Sequence, residues 1–115
     1  MPDLDALATS HLEAARASEH GRSAELLVHD GPLRQSILAL VSGAELAEHN
    51  SPHAASLQVL VGTVRVTGED EPEISAGELH KLTHERHAVT ALADSVFLLT
   101  TVTGLEESQK SPEAR

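Results

Sequence analysis

The chemistry open to this chain of 115 residues rests mainly on imidazole, because it carries eight histidines and no cysteine. Thiolate nucleophiles and a disulfide framework are therefore excluded. Five of the histidines fall in two segments, His49 and His53 between Gly43 and Gly62, and His80, His84 and His87 between Gly77 and Val89. A neutral imidazole can ligate a divalent first-row ion or exchange a proton near neutral pH. Four of the five also have a plainer reading. His49 and His53 suit a polar loop bonded to backbone or water, His84 a solvated turn, and His80, alternating with Leu79 and Lys81, the surface of a strand. His11, His20 and His29 carry no positional argument.

Arg34, Arg65 and Arg86 could each hold a carboxylate bidentately if turned inward, although Arg65 alternates with Val64 and Val66 and so belongs on a wet face. No glycine-rich phosphate loop, Gly-x-Ser-x-Gly elbow or His-Glu-x-x-His helix is present. The acidic run from Gly68 to Glu73 reads as a solvated hairpin.

Composition narrows the function classes further. Eighteen acidic residues against eight basic ones give a formal charge of −10, which repels phosphate backbones and anionic membrane surfaces. Neither nucleic-acid nor membrane binding is expected. Hydrophobic residues make up 40% of the chain, almost wholly Ala, Leu and Val with one Phe and neither Trp nor Tyr, so the core must be aliphatic. The N-terminal residues lack the basic and apolar regions of a secretory signal, and no apolar run approaches the roughly 18 residues of a membrane span. These features and the missing cysteines lead us to expect a cytoplasmic protein.

The elements that would position these side chains are one helix and many short strands. Leu4, Leu7, Ala8, His11, Leu12 and Ala15 recur at three- and four-residue spacings, predicting a helix from Asp3 to about Glu19, with Asp3 as N-cap and Gly21 as stop. After Gly21 the pattern changes to strand-like runs at Glu25–His29, Leu33–Val41, Leu46–His49, Ser56–Val61, Thr63–Thr67, Glu73–Ser75, Leu79–Leu82, Ala88–Leu92 and Val96–Val102. Close turns between them predict an all-β antiparallel sandwich or barrel. Ile37–Val41 and Val96–Leu99 are apolar on both parities, so both of their faces should be covered. One cover is the core. The other is the terminal helix or a second subunit, and a homodimer is expected. Three parts follow: residues 1–22 as a helix packing on the barrel or a partner, 23–103 as the barrel, and 104–115 as a flexible, charged tail with almost no apolar side chains.

Two stretches carry a family resemblance. Gly43 and Gly62 bracket the first, with His49 in place and Val59-Leu60-Val61-Gly62-Thr63-Val64 as a strand, glycine turn and strand; Gly77, Leu79–Leu82 and His87 form the second, followed by Val96-Phe97-Leu98-Leu99-Thr100. Over about Arg34 to Val102 this resembles the paired motifs of the cupin superfamily. The resemblance implies a double-stranded β-helix (a jelly-roll barrel), with ligands held inside it. It also implies a divalent metal, Fe, Mn, Ni, Zn or Cu, on a facial set of His49, His53 and His87. Gln58, a residue type that replaces the motif's Glu in some cupins, lies three residues too near Gly62 and so faces the other way.

Departures from the motif are specific. His49 and His53 are four apart instead of two, Ala55 stands where the motif has Glu, Thr83 and Glu85 fill the Pro-x-Gly positions, and His87 comes one residue early. The resemblance thus implies a small cupin that binds a small molecule, with metal-assisted chemistry as its enzymatic form. The alternative is a metal-free binding, sensory or dimeric module whose cavity is filled by Leu and Val. Whether the chain is an enzyme stays open at this level.

Overall fold

The computed structural model describes residues 1–49, 54–67, 70–82 and 87–103, so the expected tail at 104–115 lies outside the described residues. One helix precedes nine strands: α1 (Leu4–Ala17), β1 (Arg22–Asp30), β2 (Leu33–Leu40), β3 (Glu45–His49), β4 (Ala54–Val61), β5 (Thr63–Val66), β6 (Glu73–Ser75), β7 (Leu79–Leu82), β8 (His87–Ala91) and β9 (Ser95–Val102). The strands form two antiparallel sheets, β1-β2-β9-β4-β7 and β3-β8-β5-β6. No described helix is long and apolar enough to cross a membrane.

The Asp3 carboxylate caps α1, accepting from the backbone N–H groups of Asp5 (3.1 Å) and Ala6 (3.2 Å). The helix stops at Ala17, ahead of the expected Glu19, with Ser18 in extended conformation. Gly21 acts later, at positive φ in the turn into β1. That strand starts at Arg22, three residues before its apolar pattern begins, because Arg22, Ser23 and Ala24 pair with Leu40, Ala39 and Leu38 of β2. Ladder hydrogen bonds outweigh weak local preference there.

Strand alternation sorts the apolar residues into two clusters. Leu38, Leu40, Leu57, Val59, Val64, Val66, Ile74, Val89, Ala91 and Phe97 fill the space between the sheets. On the outer face of the five-stranded sheet, Ile37, Ala39 and Val96 pack under Ala8 and Ala15 of α1. The helix therefore supplies the second cover that the doubly apolar strands require. Two polar ties hold it there. Both ring nitrogens of His11 are engaged, Nδ1 with Ser23 Oγ (2.7 Å) and Nε2 with Glu25 Oε1 (2.8 Å). Farther along, Arg16 donates twice to Asp94 Oδ2 (2.9 and 3.1 Å).

Gly62, between β4 and β5, sits at φ +81° where an added Cβ would strike Asp94 O and Ser95 Oγ. Ser95 is fully buried, its hydroxyl accepting from Thr63 N–H (3.0 Å) within reach of the Ala93 and Thr63 carbonyls. Gly43 also has positive φ, but a Cβ there would meet nothing. Gly62→Ala is expected to lower the unfolding free energy by about 3 kcal/mol or more. Gly43→Ala should cost only about 1 kcal/mol, as read from urea unfolding of the two variants.

The Ser42 N–H, and then the Arg16 guanidinium, hold the Asp94 carboxyl below its ordinary 3.8. Because the folded value is the lower one, this contribution is present above the unfolded value and lost as pH falls through the folded one. Stability of Asp94→Asn relative to the native chain should be lowest near neutral pH, with the gap closing as pH falls below the ordinary carboxylate range in a thermal-melt series.

Candidate functional site

The described interior positions of the barrel are fully buried at one end and partly exposed at the other. Leu40, Leu57, Val59, Val64 and Phe97 are almost fully buried, forming a floor without access to solvent. Going along the same inward parity of each strand, burial gives way to half-exposure at Ser36, Leu99, Thr101, Ala55, Leu82 and His87. The ladders bring these positions together, with Ser36 opposite Leu99, and Ala55 opposite both Thr101 and Leu82. They line a mouth made from both sheets.

His87 opens β8 two residues before inward Val89, so it shares the interior parity. Its Nδ1 lies 2.8 Å from the carbonyl oxygen of Thr67, which can only accept, so Nδ1 carries the proton. The lone pair of the neutral ring is then on Nε2. Thr67 is held in turn by both groups of Ala88, whose N–H donates to Thr67 Oγ1 (2.8 Å) and whose carbonyl accepts from Thr67 N–H (2.9 Å). A backbone carbonyl on one nitrogen, fixing tautomer and ring orientation, is the usual support of a metal-binding imidazole.

The other expected site residues divide sharply. His49 ends β3, and its backbone is the ladder partner of His87, so these two positions from distant segments are neighbours across the four-stranded sheet. His53, His84 and Arg86 lie outside the described residues. Ala55 does occupy an inward position near the mouth, where it offers no donor atom. Gln58 lies on the outer face opposite Leu79 and Leu98, as its parity predicted. Arg65 is on the wet face, bound to Glu73 Oε2 (2.6 Å), and that carboxylate holds the guanidinium charged more firmly than usual.

His80 departs from its expected surface position. It pairs with fully buried Leu57 and is half-buried on the inward parity of β7. The segment Leu79-His80-Lys81-Leu82 has a leucine on each parity, so its pattern alone is undecided. Packing of Leu82 against the inner core turns His80 inward and leaves Leu79 69% exposed. Among the described residues, no three His, Cys, Asp or Glu side chains stand together as a metal-binding group. The described donors fit a metal centre only at His87.

No family model matches the sequence, and no curated protein matches it. Solved structures do. A conserved protein of unknown function from Streptococcus pyogenes superposes with a TM-score of 0.67 at 24% identity, over 75% of this chain and 77% of that one. A cupin superfamily protein from Desulfitobacterium hafniense gives 0.67 at 14% identity, over 71% and 77%. A salicylate 1,2-dioxygenase from Pseudaminobacter salicylatoxidans gives 0.73 at 14% identity, over 91% of this chain but only 35% of the enzyme. Two antiparallel sheets closed into a sandwich behind one N-terminal helix are thus the cupin fold. Within it, this chain is similar to the small cupin proteins of unknown function.

The Nδ1–H tautomer of His87 is directly observable. Long-range ¹H–¹⁵N spectra should show a protonated Nδ1. The reverse assignment would remove the Thr67 anchor.

Proposed function

We propose that the protein binds a small molecule at the open mouth of the barrel, beside His87. The observation that carries this reading is the sealed apolar floor beneath a ring of half-buried side chains from both sheets. Such a lining selects by shape and by a few placed polar groups, here the imidazoles of His80 and His87 and the hydroxyls of Ser36 and Thr101. Binding stands ahead of catalysis, because Ala55 takes the motif's carboxylate position. The cysteine-free composition fits a cytoplasmic setting.

A second reading adds a divalent ion held by His49, His53 and His87. It is supported by the ladder register of His49 with His87 and by the carbonyl-anchored tautomer of His87. Imidazole donors alone do not choose among Fe, Mn, Ni, Zn and Cu. The alternative is a metal-free sensory or interaction module, supported by Ala55 and the filled floor.

A fragment screen by ¹H–¹⁵N correlation spectra should give shifts clustered at Ser36, Ala55, Leu82, His87, Leu99 and Thr101, and His87→Ala should weaken those hits about tenfold or more. Hits scattered over the surface would sink the binding reading. Elemental analysis of protein purified without an affinity tag separates the other two. Stoichiometric metal that disappears in a His49→Ala, His87→Ala double variant selects the three-histidine centre; metal-free, normally folded native protein selects the metal-free form.

A further inference from the structure

Charge is sorted by face in the five-stranded sheet. The acidic residues in its strands are Glu25 and Asp30, both in β1, and the ladder pairs them with Ile37 and Leu33 of β2. Ile37 packs under α1, so this parity points away from the interior and takes both carboxylates with it. The inner face of the sheet therefore holds no carboxylate, in a chain with 18 acidic residues.

Arg34 lies on that inner face. The unbroken ladder of β2 with β9 fixes its parity: Arg34 pairs with Thr101 and Ser36 with Leu99, in step with Leu38 and Phe97, which join the core between the sheets. Burial has ended at this position, so the guanidinium stands exposed at the rim of the mouth beside the half-buried Ser36 and Thr101. The other described arginines are engaged, Arg16 with Asp94, Arg65 with Glu73 and Arg22 with the Glu45 carbonyl oxygen. Among the described residues Arg34 has no ion pair, and neither it nor the hydroxyls of Ser36 and Thr101 has a side-chain hydrogen-bond partner. Three polar groups thus converge on the mouth with their bonding capacity unused.

We propose that the small molecule bound at the mouth is a monocarboxylate, held by two parallel N–H···O bonds from Arg34, with the Thr101 hydroxyl donating to the same group. This inference rests on the binding reading given above and names the class of ligand. A guanidinium fork matches a planar carboxylate, whereas a phosphate monoester brings about two negative charges to a single positive one. Directly opposed side chains on one face have Cβ atoms about 5 Å apart, so a carboxylate on Arg34 lies within reach of the Thr101 hydroxyl. Beyond it the inward positions Ala55, Leu82 and Leu99 are apolar, so the body attached to the carboxylate is hydrocarbon. The formal charge of −10 repels an anion from the chain as a whole. A carboxylate-free face with an unneutralised cation at its edge reverses that repulsion locally.

Titrations followed by ¹H–¹⁵N correlation spectra test it, with benzoate and cyclohexanecarboxylate set against benzamide and cyclohexanecarboxamide, which match them in shape but carry no charge. At neutral pH each carboxylate should bind about tenfold or more tighter than its uncharged counterpart, with shifts centred on the backbone N–H signals of Ser36, Leu99 and Thr101 and on Arg34 Nε–H. Arg34→Gln, whose fold the same spectra verify, should bring each pair to within about twofold. Arg34→Lys should restore only part of the preference, since an ammonium cannot form the fork. Equal binding of charged and uncharged probes at the mouth, or a preference that survives Arg34→Gln, overturns the carboxylate assignment and leaves binding at the mouth standing. Full restoration by Arg34→Lys overturns the bidentate contact. Shifts absent from the mouth with every probe overturn the mouth as a binding site, and this inference with it.

Discussion

Strand β9 must be buried on both faces, and the rest of the molecule is arranged to meet that demand. Phe97 and Leu99 point into the space between the sheets, while Val96 points outward. Ladders to β2 on one side and β4 on the other satisfy its backbone over its full length. Removing water from Val96 and Ile37 requires a lid, and α1 is that lid, held by small residues at its contact face and by the His11 and Arg16 ties at its flanks. Alanines at positions 8 and 15 matter because they let the helix backbone approach the sheet closely.

The same double burial creates the site. Since the interior is filled from one end by Phe97, Leu40, Leu57 and Val59, the partly exposed inward positions are confined to the opposite end, where chain segments far apart in sequence converge. His87 enters there with an orientation chosen by a backbone carbonyl, which costs little on binding because the ring is already fixed. Ala55 removes the carboxylate that the related motif would place beside it. Among the described residues, the inward position at Ala55 thus carries no charge.

Much of this was legible from residue order. Doubly apolar runs at Ile37–Val41 and Val96–Leu99 announced strands covered on both sides, and the glycines at 43, 62 and 77 marked turns that all take positive φ. The parity of Gln58 was readable because it lies between Leu57 and Val59, and that of Arg65 because it lies between Val64 and Val66. His80 was not, since Leu79 and Leu82 give its strand an apolar residue on either face. The start of β1 was equally hidden, because Arg22-Ser23-Ala24 has no strand pattern of its own.

Residue order by itself determined the aliphatic core, the acidic surface, the antiparallel all-β class and the presence of one amphipathic helix, since each follows from composition or from periodicity within a single segment. Only the tertiary structure decided that the helix covers the outer sheet face, that Leu82 and not Leu79 joins the core, and that the backbones of His49 and His87 are ladder partners. Those outcomes depend on competition between segments for the same buried space and on ladder register across 37 residues of intervening chain. Local pattern holds no information about which of two apolar faces a distant partner will fill.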